Sequence, residues 1–566
     1  MPRRGALMSR VVEISLDMPA MAACEWLQQA VEVAADQAGK DQAGKADKKP
    51  TARRAKQNPA AGGAGEALAN ALDRSGKFSS VSARTRLTIH PLALSRKLTE
   101  AGWRTMAEVS PGGRRMLVSR RETHAPAVTV REFFVDAPLE ASAAIMQHLT
   151  VPSELREALD EEGAQVSLPA AVLEFHRTTW RWTSEDGHAV DVVLNDAFDA
   201  TPEAMPHFCE LLLSSSCPNA DETLSDGEQP DPLARAVHAL FAVAEALVAE
   251  LPVFPVLSDA LERTLRAPAA EEPVRAIPVD LLDLHTPHAA LIAIGANIAQ
   301  QWFGNERGVH ETATIEFVHQ MRVAQRRLRT AMRIFSGWTD ADWTTRVAPG
   351  LKWLGDLLGE ARDLDVFTDS TLPALAAADT DASAWSAVLA SADARRLAAR
   401  GRLQAAMRSR RYAQLSLAWL AWLASLPMRG APEALADTIL HAFVAKRVRK
   451  HFRRLADTAK LPELDAAARH RHRIEAKRLR YILEFFESIA SGRTRRDVAK
   501  TLQRIQSVLG DGNDAVVALR LLEQLDITPY QRGFARGWSQ AVGHWTAQEG
   551  ERLLRTLEEP RIKGGA

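Results

Sequence analysis

Residues 316 to 335, EFVHQMRVAQRRLRTAMRIF, carry one histidine and five arginines with no acid after Glu316. At about 100° per residue on a helix, His319, Arg322, Arg326, Arg329 and Arg333 share an arc of roughly 80°, while Met321, Leu328, Met332 and Phe335 lie on another side. One flank is set to pack and the other presents cations along roughly 20 Å, at 1.5 Å per residue. That length suits a chain of anions better than a single small one. Guanidinium forks match phosphate oxygens with paired hydrogen bonds, lysine adds a compact charge, and histidine donates more strongly once neighbouring phosphates favour its protonated form.

The same pattern recurs. A single offset of 151 places VHQMRVAQRRLRTAMRIF over RHRHRIEAKRLRYILEFF, pairing His319 with His470, Arg322 with Arg473, Arg326 with Lys477 and Arg329 with Arg480; Glu484 replaces Arg333. Without a gap the offset continues into LKWLGDLLGEARDLDVF over LQRIQSVLGDGNDAVVA, where Asp363 meets Asp514. Two matched blocks at one offset imply a duplicated helical unit whose copies face one another about a pseudo-twofold axis. A third row, Lys446, Arg449, Lys450 and Arg453, spans an arc of about 100° on AKRVRKHFRR. Three such rows can line one groove.

Solvated helical faces normally interleave acids at i,i+4 spacing, and like charges one turn apart cost stability, so an acid-free, duplicated row points to a polyanion. Neither His319 nor His470 has a second His or Cys at ligand spacing, so no metal site is expected. Asp363 and Asp514 read as helix caps or as partners that orient the arginines. LGDGND holds only a fragment of a calcium loop, and neither GxxxxGK[ST] nor GxSxG occurs.

The elements that position these rows belong to a helical C-terminal part in which Ala, Leu and Arg dominate. The 566 residues carry equal numbers of basic and acidic side chains, 71 of each. From residue 281 onward there are 42 Lys+Arg against 31 Asp+Glu, net +11, which leaves 29 against 40, net −11, for residues 1 to 280. Opposite charge in the two parts suggests two jobs. The N-terminal part has strand patterns at 10–18, 114–122, 128–136, 173–183, 188–196 and 207–215, with a DG turn signal before the fifth. Helices are expected at 23–35 and 230–251, a disordered, low-complexity insertion at about 36–75, and a Pro/Ala-rich linker at 266–284. Cys24, Cys209 and Cys217 read as reduced thiols, no apolar run reaches bilayer-spanning length, and MPRRGALMSR lacks a secretion signal, so a cytoplasmic protein is expected.

The paired basic blocks, with LGEARDLDVF and LGDGND after them, resemble the CHAD family, the conserved histidine α-helical domain, over roughly residues 285 to 555. That resemblance implies an all-α bundle of two similar four-helix halves, spanning 285–560. It also implies binding of inorganic polyphosphate through basic helix faces, in some members on polyphosphate granules. It carries over to His319, Arg322, Arg326, Arg329, His470, Arg473, Lys477 and Arg480. Residues 1–265 resemble a degenerate CYTH domain, the triphosphate-tunnel fold, an α+β domain built on an antiparallel β barrel. VEISLDM keeps Glu13 of that family's opening ExExK strand but has Ser15 and Asp17 for the second Glu and the Lys, and Glu210 is followed by Leu212 where another acid is expected. Metal-dependent phosphoryl chemistry needs several free carboxylates. The expectation is therefore a multidomain, noncatalytic polyphosphate binder without cofactor. A metal-dependent triphosphatase or polyphosphate hydrolase, and nonspecific nucleic-acid binding, are the alternatives; the latter is disfavoured because only Tyr481 lies near the cationic rows.

Overall fold

In the computed structural model, the described residues are 9–18, 76–81, 85–91, 96–138, 173–184, 187–196, 209–217, 231–259, 262, 272–456 and 460–564. The helix expected at 23–35 and the insertion at about 36–75 lie outside them. The chain divides into two compact units, Met1–Ala270 with Arg408–Met428, and Glu271–Met407 with Arg429–Ala566.

The first unit is built on an antiparallel barrel. Its strands are β1 (Ser9–Asp17), β2 (Gly76–Val81), β3 (Thr85–Pro91), β4 (Trp103–Ser110), β5 (Gly113–Ala125), β6 (Val128–Pro138), β7 (Leu173–Ser184), β8 (Ala189–Asp196), β9 (Cys209–Ser216) and β10 (Phe254–Val256). Pairing runs β1-β6-β5-β4-β3-β7-β8-β9 and returns from β9 to β1, closing eight strands; β10 adds to β1 and β2 to β7. Closure removes the exposed edges that an open sheet would present. Gly187, at φ +80°, makes the turn between β7 and β8 that the DG signal marked. A one-residue alternation sorts the side chains of β1: Val12, Ile14 and Leu16 are buried on one face and Glu13 and Ser15 on the other. In register, Leu16 lies beside Leu211 and Leu194, and Ile14 beside Leu213 and Val192, forming apolar rows.

Helix Pro232–Glu250 packs on β1, β8 and β9. By length and composition alone it is apolar enough to reach a bilayer span, which corrects the expectation that no segment would. The reason it is so apolar is visible: Val237, Leu240, Val243, Ala244, Leu247 and Val248 are buried within the unit. Cys209 is disulfide-bonded, where a reduced thiol was expected, and Cys217 is a buried thiol outside any disulfide; three scattered cysteines carry no pairing signal in sequence, since only the fold sets their separation.

The second unit is helical and visibly duplicated. Among the described residues its first half contributes long helices at Pro287–Glu311, Ile315–Ile334, Ala348–Val366 and Ser386–Met407, and its second half at Leu440–Ala456, Ala466–Phe485, Ala499–Leu522 and Pro529–Arg555. We label these eight α1 to α8 in chain order. The offset of 151 holds residue for residue: α2 and α6, the short turns Ser336–Trp338 and Glu487–Ile489, and the π-helical turns Trp343–Val347 and Thr494–Val498 all begin and end in matching positions. Local chemistry fixes several starts. Thr286 accepts from Ala289 N ahead of Pro287, Asp465 accepts from Ala468 N, and Thr528 with Gln531 forms a reciprocal cap ahead of Pro529. Phe335 and its counterpart Phe486 meet at 6.3 Å between ring centres. Counterpart residues in contact with each other mark the neighbourhood of the pseudo-twofold axis.

Candidate polyanion-binding groove

α2 and α6, which carry the two cationic rows, pack against each other. Their apolar flanks enter the core through Phe317, Met321, Leu328 and Met332 of α2, and through Leu479, Ile482 and Phe485 of α6. The basic flanks are thereby brought together. Lys477 has Arg326, Arg473 and Arg322 as charged neighbours, so the two copies contribute cations to one place. Burial first, and then those three guanidinium groups, push its pKa down to about 6, against which Asp514 works. Arg322 and Arg473 are likewise lowered, chiefly by burial and then, respectively, by Arg326 and, against Asp514, by Arg326.

The cations are held differently. Arg322 Nη1 donates to Gly355 O at 2.7 Å and reaches Gln325 Oε1 at 3.4 Å, while a Cβ at Gly359 would stand 3.0 Å from its Nη2. The Leu-Gly step of α3 thus makes room for the guanidinium. Arg473 Nη2 lies 3.9 Å from Asp514 Oδ1, and Arg520 Nη2 lies 3.8 Å from Asp363 Oδ2. Asp363 and Asp514 sit inside α3 and α7 rather than at a helix start, so of the two sequence readings the capping one fails and the arginine-orienting one stands. Burial raises the Asp363 pKa, Arg322 and Arg520 oppose this, and Asp514 adds to it; the two carboxylates are counterparts across the axis. Arg326, Arg329, Arg333, Lys477 and Arg480 form no ion pair with the described residues.

Internal ion pairing falls on the opposite flank. Arg327, 1% exposed, donates to Gln301 Oε1 at 2.7 Å and Asn297 Oδ1 at 2.8 Å, and lies 3.0 Å from Glu484 of the other copy. The one acid of the second row is thus bound to a buried arginine instead of quenching the groove. Its counterpart Arg478 would meet Arg333, a like charge, and pairs with Glu475 of its own helix, which also bonds His451 at 3.0 Å.

The two histidines differ. His470 Nδ1 lies 2.8 Å from Asn513 Oδ1, whereas His319 Nδ1 is buried with no hydrogen-bond partner among the described residues. Burial, then Arg362, Arg326 and Arg275, lower the His319 pKa to about 4 despite Glu316. It is neutral at pH 7 in the free protein. The row of Lys446, Arg449, Lys450 and Arg453 is exposed on α5, with Arg449 3.7 Å from Glu559. No charge contact among the described residues ties that row to Arg322, Arg326, Arg473 or Lys477. Sequence reasoning missed Arg362, Arg520, Arg275 and Asn513; the first and last were legible as offset counterparts, and Arg275 was not.

A family model described as the CHAD domain matches residues 293–523. The crystal structure of the CHAD domain from the plant Ricinus communis is 30% identical and covers 52% of this chain and 99% of its own, with a TM-score of 0.42. The chain belongs to the CHAD family. PptA from Streptomyces chartreusis is 19% identical over 50% of this chain and 99% of its own, at a TM-score of 0.37. A Hippeastrum protein described as a putative adenylyl cyclase with a dominant triphosphatase activity is 10% identical over 36% of this chain and 79% of its own, at 0.20. No curated protein matches. The multidomain plan, a closed antiparallel barrel resembling the CYTH tunnel followed by the CHAD bundle, is the one the sequence implied.

The barrel interior offers different chemistry from the CHAD groove. Glu13 Oε2 receives Arg131 Nε at 2.9 Å, and Asp259 Oδ2 lies 3.3 Å from both Arg131 and Arg121. Glu262 pairs with Arg121 and with Arg104, the latter at 3.4 Å. Arg177 donates to Asn195 at 2.9 Å and sits 3.5 Å from Glu108, and Asn195 in turn reaches Glu210 at 3.5 Å. Burial works against the Asp259 carboxylate, but Arg121 and Arg131 outweigh it and hold its pKa low. Among the described residues no three His, Cys, Asp or Glu side chains converge as metal ligands.

One pH prediction arises from Lys477. A polyanion in the groove restores its charged form, so binding takes up protons above pH 6 and affinity rises as pH falls toward 6, with no further gain from this group below. Titration calorimetry at pH 8 in buffers of different ionisation enthalpy should read uptake of up to about one proton, reduced in Lys477→Arg, which stays charged. Uptake unchanged in that variant would rule Lys477 out as its source.

Proposed function

We propose that the CHAD unit binds inorganic polyphosphate without catalysis, through His319, Arg322, Arg326, Arg329 and Arg333 of α2 and His470, Arg473, Lys477 and Arg480 of α6, with Lys446, Arg449, Lys450 and Arg453 as an outlying row. The observation that carries this reading is the proximity of Arg322 and Arg326 to Arg473 and Lys477, cations from two copies that repel one another unless an anionic chain lies between them. Family membership supports the same choice. A cytoplasmic location on polyphosphate granules follows as part of this proposal.

Nucleic acid fits less well. Single-strand binders present aromatic faces for base stacking, but Tyr481 is buried and has the Arg480 guanidinium 5.0 Å from its ring centre. The barrel is assigned a scaffold role, because Glu13, Asp259 and Glu262, acids that could have held a divalent metal, are taken up by Arg131, Arg121 and Arg104. Phosphate release from triphosphate by the purified protein with Mg²⁺ or Mn²⁺ would restore the hydrolase alternative.

The deciding experiment is competition between long-chain polyphosphate and RNA at physiological salt. Polyphosphate should win, and its log affinity should fall with log salt at a slope of roughly −4, for about six neutralised phosphates at about −0.7 each. Preference for RNA, or a slope near zero, would overturn the assignment.

A further inference from the structure

The basic row of α5 looks away from the groove. α5 packs through Phe443, Val444, Val448 and Leu455, all buried. Its inner flank is tied to α6 by His451 Nδ1, 3.0 Å from Glu475 Oε2. It is tied to the end of α2 by Arg447 Nε, which donates to Ile334 O at 2.9 Å, and by Phe443, stacked on Phe335 at 5.5 Å. At 100° per residue Glu475 stands about 160° round α6 from both Arg473 and Lys477, so α5 sits behind the row that lines the groove. On α5 itself Lys446, Arg449, Lys450 and Arg453 are exposed, and their arc centres about 150° from the buried flank. The two cationic faces therefore look in different directions across a layer two helices thick, on the order of 20 Å.

The C-terminal segment widens this outer face. Residues 561–563 form a strap on residues 489–491: Ser491 N donates to Arg561 O and Lys563 N to Ile489 O, both at 2.9 Å, and Ala490 bridges to Ile562. Arg561 N also donates to Thr494 Oγ1 at 2.8 Å. Extended backbone alternates its side chains, so Pro560 and Ile562 are buried while Glu559, Arg561 and Lys563 are exposed. At one end Glu559 Oε1 lies 3.7 Å from Arg449 Nε, and at the other a Cβ on Gly564 would stand 3.1 Å from His441 Nδ1. The strap thus runs beside the first half of α5 and adds Arg561 and Lys563 to its row. Of these six cations only Arg449 is ion-paired among the described residues, with Glu559.

Lys446, Lys450 and Arg453 repeat the i, i+4, i+7 spacing of Arg322, Arg326 and Arg329 and of Arg473, Lys477 and Arg480. Like charges one turn apart cost stability unless an anion lies along them. The large buried side chains of α5 are turned into the bundle, so this face offers lipid nothing apolar to insert. Its complement is an anionic chain. Resting on the polyphosphate reading above, we propose that the outer face of α5 and the C-terminal strap form a second polyphosphate site, separate from the groove, so that one protein holds two chains and links them. Many such links along long chains build a network by multivalency, without any further contact between proteins.

The test mixes the full chain with two batches of a linear polyphosphate of uniform length, end-labelled with different dyes, at fixed low salt. Fluorescence cross-correlation reads the complexes that carry both colours. A chain of roughly 20 Å, the length of a groove row, can fill one face but not both. Wild type should bind two chains and give two-colour complexes. K450E/R453E should hold one chain and lose that signal, with its thermal melt unchanged. R561E/K563E, which leaves α5 intact, should weaken the second chain by about tenfold or more, since each reversal exchanges an attractive contact for a repulsive one. R322E/R473E should keep one chain on the outer face and also give no two-colour complexes. One chain per wild-type protein, or two-colour complexes undiminished in both outer-face variants, would overturn the second site while leaving groove binding intact. Failure of the wild type to bind any chain would remove both proposals.

Discussion

Reversal of charge at Arg322 and Arg473 together, R322E/R473E, is expected to weaken binding of long-chain polyphosphate by at least about a hundredfold and to leave the helical circular dichroism unchanged. Each reversal exchanges an attractive contact for a repulsive one, about 1 kcal/mol each way at 4 Å in water and more where burial lowers the dielectric. The two sites are counterparts in one groove, so their losses fall on the same ligand. Arg322 also donates to Gly355 O, so part of a loss could reflect a displaced α3. Arg322→Gln/Arg473→Gln removes charge while keeping a donor. It should lose roughly tenfold or more and shift the salt slope by about 1.4, two contacts at about −0.7 each. Wild-type affinity in both double variants would show that polyphosphate, if bound, lies elsewhere.

The largest effect on stability should come from a residue that no ligand touches. Arg327→Met is expected to cost about 3–5 kcal/mol, because removal of one partner strands a charge and leaves buried amides unpaired. Its guanidinium serves Gln301 Oε1, Asn297 Oδ1 and Glu484 at once, beneath the contact between the two copies, and stacks 5.2 Å from the Phe485 ring centre. The same change at the counterpart, Arg478→Met, should cost no more than about 1 kcal/mol. Arg478 is 27% exposed and paired within its own helix, the situation in which ion pairs contribute little. Denaturant melts of the two variants decide this, and similar losses would mean that the buried cluster is not what joins the copies. Arg327→Met would also free Glu484, the only acid of the second row, whose charge would then bear on the groove.

The closed barrel shows where alternation succeeds and fails as a signal. β1, β8, β9 and helix Pro232–Glu250 were readable because each has one continuous apolar face, and β5 to β7 because each holds a buried apolar pair two residues apart: Met116 and Val118, Val128 and Val130, Trp180 and Trp182. β4 was not, since Arg104 and Glu108 point charges at Glu262 and Arg177 in the interior and so break the pattern of one dry and one wet side. β2 and β3 are short and carry three or fewer large apolar side chains each.

The cationic rows were legible for a geometric reason: 100° per residue is a property of the helix itself, so which side chains share a flank follows from spacing alone. Duplication was legible because the offset is a property of the chain. Spacing could not say which flank faces the other copy, that Arg326 stands beside Lys477, that Glu484 is bound to Arg327, or that Val274 and Ile277 are fastened to α1 by the amides of Asn305 and Asn297. Those pairings join positions up to 157 residues apart, as for Glu484 and Arg327. The sequence thus determined the two ridges and their kinship, through local backbone geometry. The tertiary structure alone decided that they converge, because the field at any group is set by neighbours that only folding brings near.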